Sequence, residues 1–374
     1  MKLSVFFSFD ISLKDWHNNG LLQREIVLYQ ALIQEYGIKV QFITYGDDSD
    51  YEYRSQLSGI EIIPIYSYIK KPKNRYIQLI QTLFIPWRLK REIRSSNILK
   101  TNQMLGSWVA VIAKIIFNKP LIVRCGYELF HFALKSKKNI LYKLFVYLIS
   151  LFSYKVCNRV HVATSQDKDF VIKKFNIKAN KIFIHPNWID VNKFKPNQNI
   201  IKNDKLLFVG RLNLQKNISL LFKALAGTNI SLDIIGKGEL EEELNLLSKK
   251  LKLDINFLGN IPNSKMPEIY NKYRIYILCS HYEGNPKTLL EAMACGCAVI
   301  GTNVSGIREI ISNKETGLLS GEDESSLNSA IKLLIEDELL QKKLGDKASK
   351  YVEKNNSLDL VLHSEIHAYN KIMV

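Results

Sequence analysis

Short apolar runs separated by longer helical segments recur along the chain in two successive sets, and this alternation is the strongest constraint on its fold. "LSVFFSF" (3–9), "IKVQFITY" (38–45), "PLIVRC" (120–125) and "RVHVAT" (159–164) read as strands. Strands alternating with helices imply right-handed βαβ units on a parallel sheet. The pattern then restarts with "KLLFVG" (205–210), "ISLDIIG" (230–236), "DINFLG" (254–259), "RIYILCS" (274–280) and "CAVIGT" (297–302). Two doubly wound α/β domains are the economical reading, and 374 residues suit two domains better than one. The stretch "KFKPNQNIIKND" (193–204) reads as the linker, because its Pro and Asn content disfavours continuing either element. The expected division is 1–198, 199–355, and a C-terminal helix over 356–374 packing back on the first domain.

The longest apolar segment, "LFVYLISLFSY" (144–154), is far shorter than the roughly 20 residues a membrane-spanning helix needs. The opening "MKLSVFFSFDIS" meets Asp10 and has no small-residue cleavage site, so it reads as a first strand rather than a leader. Five scattered cysteines without a C-x-x-C pair suggest neither a disulfide framework nor a zinc site and fit a reducing cytoplasm. Charge is unevenly placed. The chain carries a net +16, and residues 66–160 hold 18 Lys and Arg against Glu92 and Glu128 alone, so this one stretch accounts for the whole excess.

The stretch "EGNPKTLLEAMACGCAVIGTNVSG" (283–306) places two glutamates, Glu283 and Glu291, around the start of a helix. Asn285 reads as the N-cap, Pro286 as the first helical residue and Gly296 as the residue that ends the helix. Helix N-termini at the carboxyl ends of parallel strands attract anions through free N–H groups. A diphosphate on the amides near Lys287 to Leu289 would have one carboxylate on either side, and carboxylates accept from paired hydroxyls of a sugar ring or a ribose. That spacing fits a nucleotide sugar.

The same stretch resembles the E-x7-E region of the retaining glycosyltransferase family 4. "FVGRLNLQKNISLLFKAL" (208–225), "IIGKGEL" (234–240) and "HPNWIDVNKF" (185–194) resemble further segments of that family. The likeness is specific over the C-terminal half and one of layout only in the N-terminal half. It implies the GT-B architecture, two Rossmann-like domains facing a central cleft, with the acceptor on the first and the donor on the second. Position by position, it implies that Glu283 contacts donor sugar hydroxyls, Glu291 the ribose, and Arg211 and Lys216 the diphosphate. It also implies that the backbone of Gly284, Asn285, Pro286, Lys287 and Thr288 surrounds the sugar and α-phosphate. Gly236 and Gly20 are candidates for close approach to the nucleotide, although Gly236 equally suits a plain turn and Asn19 stands where the family has a second glycine. Asn187 matches the family's Asn after Pro, although an Asn in a turn often serves local turn chemistry only. On the acceptor side, Arg124 or Cys125 stands where many relatives have a histidine, His131 falls six residues later, and Glu128 resembles the acidic residue that often follows.

The resulting expectation is a retaining, metal-independent, cytoplasmic transferase without cofactor. It would move sugar from a nucleoside diphosphate donor, UDP before GDP, to a lipid-linked surface glycan such as a capsule, O-antigen or exopolysaccharide. "IKKPKNRYIQLIQTLFIPWRLKREIR" (69–94) and "KSKKNILYKLFVYLISLFSYKVCNR" (135–159) mix basic with apolar residues, which suits an anionic membrane surface as well as core helices with a solvated basic face. Other classes stay open on sequence: a GT-B-like nucleotide-sugar epimerase, a metal-dependent enzyme using Asp48/Asp50 or Asp167/Asp169, or a nucleic-acid binder, which the absence of a stacking motif disfavours.

Overall fold

Seven strands form the sheet of the first unit in the computed structural model, which describes residues 1–373. They are β1 (Lys2–Phe6), β2 (Lys39–Thr44), β3 (Ile60–Pro64), β4 (Ile98–Thr101), β5 (Leu121–Cys125), β6 (Arg159–Val162) and β7 (Ile182–Ile184). All neighbours pair in parallel, in the order β3-β2-β1-β4-β5-β6-β7. The apolar residues of β1 to β6 are buried, as expected where helices cover both faces of a parallel sheet, while Ile184 at the end of the edge strand β7 is exposed. The second unit has six parallel strands, β8 (Asn203–Val209), β9 (Leu232–Ile235), β10 (Ile255–Gly259), β11 (Tyr273–Leu278), β12 (Ala298–Thr302) and β13 (Leu318–Ser320), in the order β10-β9-β8-β11-β12-β13. Every strand read from the sequence is present. Four others escaped it: β7 and β13 have three residues each, β3 follows an irregular polar loop, and β4 reads "ILKT" with a lysine inside.

That lysine, Lys100, is fully buried and is paired with Glu365 of the C-terminal helix Leu358–Met373; the Tyr369 hydroxyl lies 3.3 Å from its ammonium. A buried charge is tolerated only with such a partner. The helix is thereby fastened into the first unit, which comprises Met1–His185 and the chain from Leu362 onward, while the second comprises Pro186–Val361. The units therefore divide earlier than the polar linker suggested: residues 186–198 pack with the second unit. Ile189 there bridges to Ser357.

Within the basic stretch, two segments pack with their apolar residues outward. The helix Ile140–Val156 buries Val146, Ser150, Ser153 and Tyr154 while exposing Ile140, Leu141, Leu144, Leu148 and Phe152, a stripe at helical spacing. The helix Arg75–Thr82 likewise buries Gln78 and Thr82 and exposes Tyr76, Ile77 and Ile80, followed by exposed Phe84 and Trp87; Tyr76 is 79% exposed. Large apolar surfaces of this kind are uncommon on a soluble face that has no partner. No helix among the described residues is long and apolar enough to cross a membrane.

Candidate active site

In the second unit the strand order reverses between β8 and β11, because β9 and β10 lie on one side of β8 while β11 and β12 lie on the other. Adjacent loops diverge at such a point and leave a crevice at the carboxyl ends of the strands. Arg211 and Lys216 follow β8, and Glu283 follows β11. Arg211, Lys216 and Glu283 thus sit on the two loops that flank the reversal, and Glu291 on the helix that follows.

Glu283 is buried and its carboxylate is heavily engaged. Oε1 accepts from Lys216 Nζ at 2.6 Å and from Ser280 Oγ at 2.6 Å, while Gln215 Nε2 lies 3.5 Å from Oε2. Gln215 is itself held by donating to the Tyr282 carbonyl at 2.9 Å. Charge-assisted bonds of this kind fix both the anion and the cation. Arg211, by contrast, is exposed on the same loop. Glu291 lies one turn into the helix Lys287–Ala294, is 2% exposed, and accepts from Tyr270 Oη at 3.0 Å and Asn263 Nδ2 at 3.3 Å.

The helix begins one residue later than expected: Pro286 is the N-cap and Lys287 the first helical residue. Asn285 does not cap it because its side chain is used elsewhere. Its Oδ1 accepts from Asn187 N at 2.9 Å, Asn187 Nδ2 donates back to the Asn285 carbonyl at 2.5 Å, and Asn356 Nδ2 donates to the Asn187 carbonyl at 2.9 Å. Asn187 is therefore more than a turn residue: it ties the loop before the helix to the segment that opens the second unit. Lys287 extends its ammonium over the Trp188 ring, 3.8 Å from the centroid, and Thr288 Oγ1 accepts from Tyr276 Oη at 2.9 Å. Cys295 caps the far end and Gly296 follows with φ 73°, as read from the sequence.

Two glycines let these loops close on one another. A Cβ at Gly306 (φ 80°) would stand 2.1 Å from the Gly284 carbonyl oxygen, and one at Gly236 (φ 130°) would stand 2.0 Å from that of Gly210. Gly236 is thus required by the packing of the loop after β9 against the loop after β8. Gly284 and its neighbours are held from behind in the same way.

In the first unit, Gly20 adopts φ 66° at the end of a short helix, Leu13–Asn18, that the sequence reading passed over, and the next helix runs Leu22–Tyr36. Arg124 Nη1 donates to the Asn102 carbonyl at 3.2 Å. Glu128 is fully buried and caps the helix Leu129–Lys135, its oxygens accepting from Tyr154 Oη at 2.9 Å and His131 N at 2.5 Å; burial pushes its carboxyl up to about 7. Cys125 is buried, and burial raises its thiol well above the ordinary value, which does not suit a nucleophile. His131 instead stacks on Phe170. Asp50 points inward, accepting from Thr44 Oγ1 at 2.6 Å and Leu13 N at 3.1 Å, and Asp167 lies in the first turn of the helix Ser165–Phe175, so one carboxylate of each D-x-D pair is engaged in local folding while Asp48 and Asp169 are exposed.

Gln215, Ser280, Asn263, Tyr270 and Asn356 were not singled out from sequence. Only Ser280 had a local signal, standing three residues before Glu283 at the strand end; the others arrive through the fold.

Residues 190–351 match the family described as "Glycosyl transferases group 1" and residues 27–193 that described as "Glycosyltransferase Family 4". The N-acetylgalactosamine-N,N'-diacetylbacillosaminyl-diphospho-undecaprenol 4-alpha-N-acetylgalactosaminyltransferase of Campylobacter jejuni is 31% identical over 294 residues, covering 75% of this chain and 78% of that protein. The UDP-Gal:alpha-D-GlcNAc-diphosphoundecaprenol alpha-1,3-galactosyltransferase of Escherichia coli is 28% identical over 278 residues, covering 67% of this chain and 69% of that one. Among solved structures, Anabaena Alr3699/HepE in complex with UDP and glucose superposes with a TM-score of 0.79 at 15% identity, over 99% of this chain and 100% of that one, which is a likeness of fold.

Proposed function

The chain belongs to the family 4 glycosyltransferases, and from that membership we propose that it moves a sugar, with retention at the anomeric carbon, from a uridine diphosphate sugar to a growing lipid-linked surface glycan. The observation that carries the donor reading is the grouping of Glu283, Glu291, Lys216 and Arg211 at the strand-order reversal of the second unit. Glu283 accepts from sugar hydroxyls and Glu291 from the ribose. Arg211, Lys216 and the backbone from Gly284 to Thr288 receive the diphosphate. As the sugar–phosphate bond breaks, negative charge grows on the departing nucleoside diphosphate, and fixed cations aimed at it lower the barrier without a metal. The uridine assignment draws on the E. coli relative, whose name gives a UDP-sugar donor, and the lipid-linked acceptor on both relatives. Arg124 and Glu128, at the carboxyl end of β5, are assigned to the acceptor side.

A panel of UDP-, GDP- and ADP-sugars tests the donor by thermal shift. A UDP-sugar at 100 times its dissociation constant is expected to stabilise the protein by about 2.7 kcal/mol, with smaller shifts for the others. A shift with GDP-sugars alone would replace the uridine assignment. Transfer is expected to persist in EDTA; activity lost on chelation and restored by Mg²⁺ or Mn²⁺ would contradict the metal-free reading.

We further infer that the first unit rests on an anionic membrane surface at the cytoplasmic face, where a polyprenyl-diphosphate-linked acceptor is held. The outward apolar stripes of 75–87 and 140–152 lie in the stretch that holds the chain's excess positive charge. Apolar side chains can enter the interface while each lysine or arginine near the headgroups adds about 1 kcal/mol. The full-length protein is expected to co-sediment with phosphatidylglycerol vesicles at low salt and to be released by high salt, and Phe84→Ser with Trp87→Ser to weaken this. Equal partitioning onto neutral vesicles, or none at low salt, would remove the membrane claim and leave the donor site untouched.

A further inference from the structure

Each donor-site carboxylate is met by a buried hydroxyl. Ser280 is fully buried just past the end of β11, donates to Glu283 Oε1 at 2.6 Å, and is steadied by Thr302 Oγ1 of β12, which donates to its carbonyl at 2.6 Å. Tyr270, also fully buried, donates to Glu291 Oε2 at 3.0 Å. Burial, and then the Glu291 carboxylate, push the Tyr270 phenol well above its ordinary value, so its hydroxyl keeps its proton and stays a donor.

Lys216 makes these hydroxyls consequential. Its ammonium sits 2.6 Å from Glu283, yet the same ammonium is assigned to the donor diphosphate, which carries more negative charge than one carboxylate. A bound donor draws Lys216 toward the phosphates and loosens its hold on Glu283. The carboxylate must then keep its orientation toward the sugar on the donors that remain, Ser280 and the more distant Gln215. Glu291 accepts from Tyr270 and Asn263 and faces a ribose that does not react.

We propose that Ser280 and Tyr270 are positioning residues for transfer: Ser280 fixes Glu283 while Lys216 moves to the donor diphosphate, and Tyr270 fixes Glu291 against the ribose hydroxyls. This rests on the donor-site reading above. The two hydroxyls then have different kinetic signatures, because Glu283 acts next to the reacting carbon and Glu291 holds a part of the donor that is bound equally in ground and transition states.

The test is steady-state kinetics with the donor varied, together with calorimetric UDP binding, on full-length Ser280→Ala, Ser280→Thr and Tyr270→Phe. Losing one hydrogen bond to a charged group is worth about tenfold. Ser280→Ala is expected to lower kcat about tenfold with UDP affinity within twofold of wild type, and Ser280→Thr to recover most of the turnover. Tyr270→Phe is expected to raise donor KM and weaken UDP about tenfold with kcat within twofold. Wild-type constants in Ser280→Ala and Tyr270→Phe, while Glu283→Ala and Glu291→Gln are impaired, would overturn the positioning roles alone. Parallel losses of kcat, affinity and melting temperature in both variants would overturn them too, in favour of a purely structural part. UDP affinity unchanged in Glu291→Gln would instead break the donor-site reading.

Discussion

Glu283→Ala is expected to lower kcat by about 100-fold, with donor KM changed far less, because a small displacement of the sugar at the reacting carbon is enough for such a loss. The side chain is held by Lys216, Ser280 and Gln215, so its orientation is set before any donor arrives. Truncation removes the group proposed to receive the sugar, while both cations of the loop after β8 remain available to the nucleotide although Lys216 loses its ion-pair partner. Nucleotide affinity should therefore survive better than turnover. Initial rates at saturating donor decide the matter, and an enzyme with unchanged turnover would sink the assignment of Glu283 to the sugar.

Lys216→Ala and Arg211→Ala are each expected to reduce kcat/KM by about 10²- to 10³-fold, equivalent to roughly 3 to 4 kcal/mol, the range found when one preorganised partner of a developing charge is removed. Arg211 is exposed, so its loss should leave the melting temperature nearly unchanged and isolate the effect on the leaving group. Lys216 differs, because its removal also strips Glu283 of its ion-pair partner. The two substitutions act on one diphosphate, and the double variant should lose less than the product of the single effects. Wild-type kcat/KM in Arg211→Ala would move the diphosphate away from the loop after β8.

The residues of the proposed donor site are readable in the sequence because they cluster there. Glu283, Pro286 and Glu291 lie within one loop and the helix after it, and Arg211 and Lys216 within another loop, each next to a strongly apolar strand that announces itself. What the sequence did not reveal depends on side chains that meet only through the fold. Tyr270 and Asn263 reach Glu291 from the segment before β11, and Asn356 reaches Asn187 from far along the chain. The cap of the helix Lys287–Ala294 was misplaced by one residue because Asn285, a strong capping type, is committed to Asn187. β4 was missed because Lys100 interrupts its apolar pattern, and the ion pair that makes Lys100 tolerable is supplied by Glu365 from the other end of the chain. For the helix Ile140–Val156 the composition suits both a membrane surface and a core helix; in the fold Ser150 and Ser153 face inward while Leu141, Leu144 and Leu148 face outward.

Calorimetric titration of UDP into the wild-type protein, Glu291→Gln and Arg211→Ala tests the donor site most directly, because it needs neither the sugar nor the acceptor to be known. Saturable binding at one site is expected in the wild type, with affinity reduced about tenfold or more in each variant, the loss of one hydrogen bond or ion pair to a charged group. UDP bound equally well by all three proteins would contradict the donor-site reading.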